Sequence, residues 1–442
     1  MSVKLLPHQI KVLEETQKRN RVAYYLDMGL GKTYVGSEKA ISLHKNILVI
    51  CQKSKVDDWY QHFRENYGSK PTCCNTCDLT KVKEKDLKEF LKTSLRIQNK
   101  PGAWNFSAWI INYDLAFRRK ELLNLKDFTL MLDESSLISN PNSKRTKFIM
   151  KLNPVNVILL SGTPVSGKYE QCLSQMNLLG WNISQTTFER LYCIKDFITG
   201  WNGQPLLSPA GYPLKQIVDY KNVEHLKGKM RDYGCVFMKT EEVIDLPEQR
   251  FINVKIEPNK AYKKFLKDSI VTIDDVELIG DMPLKRLLYC RMLSSAYNED
   301  KLQKLSDLID STNDRLIIFY NFDIELEAIK KIIPSDRPIS YINGSIKDTT
   351  AYENNSNSIT LCQYQSASMG HNLQKADKII YFSPTLSSDL YEQSKKRIHR
   401  IGQKNNCLYY KLVSGIEWHI YSVLDTKRDY TNALFEDFEN DI

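Results

Sequence analysis

The stretch Val22–Leu43, VAYYLDMGLGKTYVGSEKAISL, decides how the rest of the chain is read. Val22–Leu26 is an apolar run of strand length, Gly29-Leu30-Gly31-Lys32-Thr33 follows it, and Tyr34–Leu43 has helical spacing. Strand, glycine-rich turn and helix in that order make a phosphate cradle. The glycines let backbone N–H groups approach an anion, and the helix N-terminus adds a positive field. Lys32 offers charge to the β and γ phosphates of a nucleotide, and Thr33 a hydroxyl to Mg²⁺. The full Walker pattern asks for glycine at position 26, where this chain has Leu26, so the strand–turn–helix setting carries the assignment.

A second anion signal lies near the other end, in Gln393-Ser394-Lys395-Lys396-Arg397-Ile398-His399-Arg400-Ile401-Gly402-Gln403. Arg397 and Arg400 are three apart, which on a helix places both guanidinium groups on one face as a clamp for a phosphoryl group. Two phosphate elements separated by most of the sequence imply two lobes that close on a nucleotide. Between them, Phe128-Thr129-Leu130-Met131-Leu132 is a buried strand ending in Asp133 and Glu134. Asp133 can reach Mg²⁺, and Glu134 can orient and deprotonate an attacking water. Ser161-Gly162-Thr163-Pro164 closes the next apolar strand, either as a simple turn or as a hydroxyl-rich loop beside the carboxylates.

Short apolar runs alternate with helix-period segments twice along the chain. The first-half strands are Asn46–Cys51, Ala108–Asn112, Phe128–Leu132 and Val157–Ser161. The second-half strands are Arg315–Tyr320, Pro338–Ile342, Ile359–Cys362, Lys378–Phe382 and Leu408–Val413. This pattern predicts an α/β protein of two lobes, each a parallel sheet covered by helices on both faces. The expected division is 1–245 for the first lobe, with insertions near 68–105 and, helical, from about 182. A helical connector over 246–290 and a second lobe over 291–442 follow, with Leu246-Pro247 at the boundary. Asp348–Ser358, rich in Asn and Ser, reads as a loop.

With 442 residues, 42% hydrophobic and 26% charged, the chain is an ordinary globular protein of two or three domains. Its net charge of +9, from 62 Lys+Arg against 53 Asp+Glu, permits nucleic-acid binding without requiring it. The start has no apolar signal core, and no apolar run approaches the roughly 20 residues of a membrane helix. Ten cysteines, mostly in apolar segments, read as reduced core residues of a cytoplasmic protein. Cys73-Cys74-x-x-Cys77 lacks a second Cys/His pair nearby, which favours a surface insertion over zinc.

Together these elements resemble the DNA-translocating ATPases of the SWI/SNF class, in the two-lobed DExx helicase superfamily, which implies that both α/β lobes are RecA-like. Leu6-Pro7-His8-Gln9 is similar to the family's adenine-reading element, and Asp27–Thr33 to its phosphate loop. Gln52-Lys53-Ser54 with Trp59, Asn112-Tyr113-Asp114, Ser161–Pro164, Met238–Val243, Asn343-Gly344-Ser345, Gly370-His371-Asn372-Leu373 and the Gln393–Gln403 block keep the family's order over nearly the whole chain. The resemblance implies that Gln9 reads adenine, that Gly29, Gly31 and Lys32 bind ATP phosphates, and that Thr33 and Asp133 hold Mg²⁺. It implies Glu134 as catalytic base and Arg397 and Arg400 as arginine fingers, with Gln393 and Gly370 lining the second-lobe face. Fingers of this type contribute on the order of 10³–10⁵ in turnover.

Two positions depart from the family pattern. Ser136 stands where His or Gln is usual two residues after the catalytic Glu, here Glu134, and Ser368-Met369 precedes Gly370 where a Gly-Gly pair is usual. The position of Ser136 concerns the coupling of hydrolysis to nucleic acid. The track implied is double-stranded DNA, with single-stranded or branched DNA as the other options. Candidate contacts are Lys53, Ser54, Lys55, Asn112, Ser366 and Ser368, while Lys395, Lys396 and Lys404 enrich the clamp region. The competing functions are a strand-separating or annealing helicase and a weakly catalytic nucleic-acid adaptor. The bare motor looks similar to bacterial or bacteriophage members; its protein partners are not legible.

Overall fold

The computed structural model describes residues 4–69, 74–98, 106–165, 167–199, 204–243, 245–273, 275–367 and 372–436. The chain forms two compact units, one running up to Lys239 and including the chain from Tyr430, the other spanning Thr240–Asp429. Among the described residues, no helix is long and apolar enough to cross a membrane.

The first unit is built on seven parallel strands. These are β1 (Arg21–Leu26), β2 (Asn46–Cys51), β3 (Cys74–Asp78), β4 (Phe106–Asn112), β5 (Phe128–Asp133), β6 (Asn156–Leu160) and, after a separate ribbon of β7 (Cys193–Phe197) and β8 (Lys215–Tyr220), β9 (Cys235–Met238). Their order is β3-β4-β2-β5-β6-β1-β9. Strands β4 and β6 are buried along their whole length, and β1, β2 and β5 at all but one end residue, as parallel strands covered on both faces require. Within the segment expected as an insertion near 68–105, Cys74–Asp78 is part of the sheet, pairing with β4 as its edge strand.

The stretch expected as a helical insertion from about 182 is helical only at its ends, Gln185–Tyr192 and Val223–Asp232. Between them β7 and β8 form an antiparallel ribbon that exposes Ile194, Phe197, Leu206, Leu207, Tyr212 and Val218. The root of the ribbon is fixed by Tyr220, whose hydroxyl donates to Glu170 Oε2 at 2.6 Å and whose ring lies 4.6 Å from that of Tyr169.

The second unit begins with β10 (Gln249–Ile256) and the hairpin β11 (Ile270–Ile273) and β12 (Val276–Ile279). Then come β13 (Leu316–Tyr320), β14 (Ile339–Ile342), β15 (Lys347–Asp348), β16 (Ile359–Gln363), β17 (Lys378–Tyr381) and β18 (Cys407–Ser414). The sheet order is β10-β18-β17-β13-β16-β14-β15, parallel throughout except for β14–β15. Alternate residues of β13 feed opposite faces: Ile317 and Phe319 pack in one core, Leu316, Ile318 and Tyr320 in the other.

Two expectations need correction here. The region 246–290 is not simply a helical connector, since Gln249–Ile256 pairs with β18 over eight residues and only the segment after it is a helix–hairpin–helix with its own small core. Asp348–Ser358 is not all loop, since Thr350–Asn354 is helical and buries Tyr352. Two helices are tied by Lys301 (helix Glu299–Asp310) and Glu417 (helix Glu417–Glu436). They form an ion pair of 2.6 Å with neither side chain exposed.

Candidate functional site

Parallel pairing sends the carboxyl ends of all the first unit's strands to one edge of the sheet. Since β5, β6 and β1 are consecutive neighbours, the three segments that follow them lie side by side. Those segments are Asp133-Glu134, Ser161–Pro164 and Asp27–Lys32. Ligand crevices of open α/β sheets form at such an edge.

The phosphate loop turns through Gly29 (φ 93°) and Gly31 (φ 76°), backbone conformations that side chains rarely adopt. Gly31 caps the helix α2 (Lys32–Ser42), which starts the positive end of a helix dipole at Lys32 and Thr33. Lys32 Nζ donates to the carbonyls of Leu26 at 2.8 Å and Asp27 at 3.2 Å, so the ammonium is held at the mouth of the loop. Gln9 lies on helix α1 (Pro7–Glu15), is buried, and grips the same loop through Nε2 to the Leu30 carbonyl at 3.0 Å. Its Oε1 accepts from the Leu6 N–H at 2.9 Å. A side chain at position 31 would put its Cβ 2.1 Å from Gln9 Nε2, so the glycine makes room for that contact.

Asp133 ends β5. Its Oδ2 accepts from the indole N–H of Trp59 at 2.8 Å, on helix α3 (Val56–Tyr67). Burial raises its carboxyl above the usual range, while the Trp59 hydrogen bond and the charges of Lys32 and Lys55 oppose that rise. Glu134 has φ 57° and ψ 58°, a left-handed conformation in a residue with a full side chain. Tyr113 braces the turn, its hydroxyl donating to the Asp133 carbonyl at 3.0 Å. In the neighbouring loop, the Thr163 N–H donates to Ser161 Oγ at 3.1 Å. Thr163 Oγ1 is buried and, among the described residues, has no hydrogen-bond partner. Such an orphan in a crevice marks a place where a water, ion or ligand oxygen belongs.

These residues suit a nucleotide with a divalent cation. They offer a fixed ammonium, a helix N-terminus, a carboxylate with one oxygen engaged by Trp59, and a buried hydroxyl left over. Sequence reasoning missed Trp59 as the partner of Asp133 and missed Gln175 altogether.

The nucleic-acid candidates separate into two groups. Lys53 is exposed, and Ser54 and Lys55 share its 3-10 turn after β2, with Lys55 paired to Asp58 at 2.7 Å. Asn112 is buried and its Oδ1 caps the following turn by accepting from the Leu115 N–H at 3.1 Å, which removes it from the surface. Ser366 is likewise buried at 3% exposure, so neither residue presents a side chain to a polymer in this structure. Ser368 and Gly370 lie outside the described residues, as does Cys73. Burial pushes the Cys74 and Cys77 thiols on β3 up to about 12 and about 11, and no cluster of metal-binding side chains occurs among the described residues.

In the second unit, the arginine pair does not sit on a helix. The helix Ser388–Lys395 carries Gln393, half-buried, but stops at Lys395. Beyond it the chain continues in turns, in which the Lys395 carbonyl accepts from the N–H groups of Ile398 and His399 and also from the Tyr409 hydroxyl at 3.0 Å. Arg397 and Arg400 therefore lie in the succeeding turns, Arg397 at 1% exposure and Arg400 half-buried, with burial lowering the latter's basicity. Gln403 fastens these turns, donating to the Ala376 carbonyl at 2.8 Å and accepting from the Lys404 N–H at 2.9 Å. Lys395 is buried against Tyr391 and paired to Glu392 at 2.6 Å, so it is no free phosphate contact.

Residues 11–303 match the SNF2-related domain family and residues 300–402 the helicase conserved C-terminal domain. The chain is 22% identical over 432 residues to the mouse SWI/SNF-related matrix-associated actin-dependent regulator of chromatin subfamily A member 1, covering 88% of this chain and 39% of that protein. It is 22% identical over 496 residues to the DNA repair and recombination protein RAD26 of Saccharomyces cerevisiae, covering 93% and 44% respectively. The chain thus spans less than half the length of these curated relatives. Among solved structures, it is similar to the Sulfolobus solfataricus SWI2/SNF2 ATPase core in complex with dsDNA, at a TM-score of 0.43 and 21% identity, covering 99% of this chain and 93% of that one. The SNF2-related match alone covers well over half of the residues, and the chain belongs to that family.

Proposed function

We propose that this member of the SNF2-related family is an ATP-driven motor that moves along double-stranded DNA. The observation that carries the ATPase part is the adjacency of three loops at the carboxyl edge of β5, β6 and β1. They bring the Asp133-Glu134 carboxylates, the Ser161–Pro164 hydroxyls and the Lys32 ammonium to one place. ATP supplies the phosphoanhydride bond whose γ-phosphoryl passes to water. Lys32 would neutralise the β and γ oxygens, Thr33 and Asp133 would hold Mg²⁺, and Gln9 would face the adenine. Glu134 would take the proton of the attacking water, its carboxylate aimed by the left-handed turn it occupies. Arg397 and Arg400 are proposed to neutralise charge that builds on the transferring phosphoryl group, and Gln393 and Gly370 are proposed to face the nucleotide from the same lobe.

The exposed Lys53 and its neighbours Ser54 and Lys55 follow β2 on the same sheet edge and are proposed to hold DNA phosphates. A track held by phosphates predicts little sequence preference and an affinity that falls steeply with salt. ATP hydrolysis measured with duplex, single-stranded and branched DNA and with RNA tests the reading. Duplex DNA should stimulate most; an active chain that duplex leaves unstimulated is not this motor. The ribbon of β7 and β8, with Phe197, Leu207 and Tyr212 exposed, is the observation behind a second reading, strand separation by an apolar wedge. Displacement of a labelled oligonucleotide would favour that second reading.

A further inference from the structure

Gln175 is fully buried on the helix Leu173–Leu179, which follows the Ser161–Pro164 loop. Its carboxamide is engaged at both ends. Oε1 accepts from Ser135 Oγ at 2.7 Å and from the Tyr25 hydroxyl at 3.0 Å, and Nε2 donates to the Pro164 carbonyl at 2.8 Å. The partners fix the amide's orientation: a proline carbonyl can only accept, so it must face the NH₂, and both hydroxyls must donate to the oxygen. One side chain therefore joins the strand leading into the phosphate loop, the residue directly after Glu134, and the loop that closes β6.

The junction matters because of the backbone beside it. A non-glycine residue held in the left-handed region costs about 1–3 kcal/mol and persists only where its surroundings over-determine it. Glu134 is such a residue, and Ser135, with no exposure, anchors its C-terminal side through Gln175. Tyr113 braces the N-terminal side. Losing the Gln175 contact frees the turn to relax toward ordinary dihedral angles, which swings the Glu134 carboxylate away.

We propose that Gln175 is a positioning residue: it fastens the turn bearing Glu134 to the Ser161–Pro164 loop, so that displacement of that loop re-aims the carboxylate. The proposal rests on the reading of Glu134 as the base of an ATPase. It also locates a coupling device in this chain away from Ser136, where the sequence departs from its family's pattern.

The test compares Ser135→Ala, Gln175→Met and Tyr25→Phe in the full chain, reading kcat and KM for ATP with and without duplex DNA. Ser135→Ala removes one small hydroxyl and should fold normally. It and Gln175→Met should each lower kcat about tenfold with KM for ATP within about twofold, since the geometry of the base is disturbed and the phosphate loop is not. Tyr25→Phe removes the arm that does not touch the catalytic turn and should leave kcat unchanged. The Ser135→Ala/Gln175→Met double variant should match the single variants instead of multiplying them. An active wild type whose kcat is insensitive to Ser135→Ala, or falls equally in Tyr25→Phe, overturns the positioning role. A folded wild type that hydrolyses no ATP with any nucleic acid overturns the underlying ATPase reading and the proposal with it.

Discussion

Replacing Lys301 with methionine should cost the second unit more stability than any single change at its surface. Lys301 Nζ sits 2.8 Å and 2.6 Å from the two oxygens of Glu417, and both side chains have 0% exposure. Glu417 also accepts the Ser414 N–H at 2.9 Å, and burial pushes its carboxyl up to about 7 even with the ammonium in place. Methionine fills most of the lysine's volume, so little cavity forms, but the carboxylate loses its counter-charge. Removing one partner of a buried pair costs about 3–5 kcal/mol. For a unit of this size that corresponds to a fall in Tm of roughly 6–20 °C.

The pH dependence gives the prediction its sign. An acid whose folded-state value is raised favours folding when protonated, so its contribution is present at low pH and lost as pH rises through about 7. The penalty in Lys301→Met should therefore be largest near pH 8.5 and shrink toward about pH 5.5, and adding Glu417→Gln should return most of it. Urea unfolding at both pH values is the assay. A variant within about 1 kcal/mol of wild type at both, or one hurt more at the lower pH, would refute the reasoning.

Three further outcomes follow from the first unit. Glu134→Gln should abolish turnover while leaving ATP binding within about threefold, because the amide cannot accept the water's proton but keeps the side chain's shape; filter binding and phosphate release separate the two. Gly31→Ala would place a Cβ 2.1 Å from Gln9 Nε2 at a φ of 76°, so it should cost about 2–3 kcal/mol by denaturation and weaken ATP binding with it. His62 is held neutral by burial, its value lowered to about 4, with Nε2 donating to Ser37 Oγ at 2.8 Å and Nδ1 accepting from Asn66 at 3.3 Å. That stabilisation is complete above about pH 6.5 and is lost as pH falls through about 4, so His62→Gln should flatten the acid arm of the stability profile by roughly 2–3 kcal/mol.

What was legible in the sequence followed from burial. Strands such as Asn46–Cys51 and Leu316–Tyr320 are apolar because both faces are covered, and that condition writes itself into composition. The edge strands escaped for the converse reason. Cys74–Asp78 is short and largely polar, and Gln249–Ile256 mixes exposed Arg, Phe and Ile, since one side of each lacks a neighbouring strand. The carboxylates after β5 were readable because a strand end fixes where a loop begins. The arginine pair was misplaced onto a helix because no proline or glycine between Lys395 and Arg400 marks where the helix gives way to turns. Gln175 was invisible for a similar reason: its partners Tyr25, Ser135 and Pro164 lie 150, 40 and 11 positions away, and only folding brings them together.

The ribbon's root gives the catalytic turn a mechanical address. Tyr220 grips Glu170 on the 3-10 turn Tyr169–Cys172, which runs directly into the helix that carries Gln175. If Gln175 positions Glu134 as proposed, a load on the ribbon's exposed apolar residues would reach that helix through one phenol–carboxylate joint. Work passes through a joint in either direction, and linkage requires that whatever nucleotide does to the ribbon's grip, the ribbon's grip does to nucleotide affinity by the same factor. Force applied far from the phosphates would act as a brake or a throttle on the engine itself.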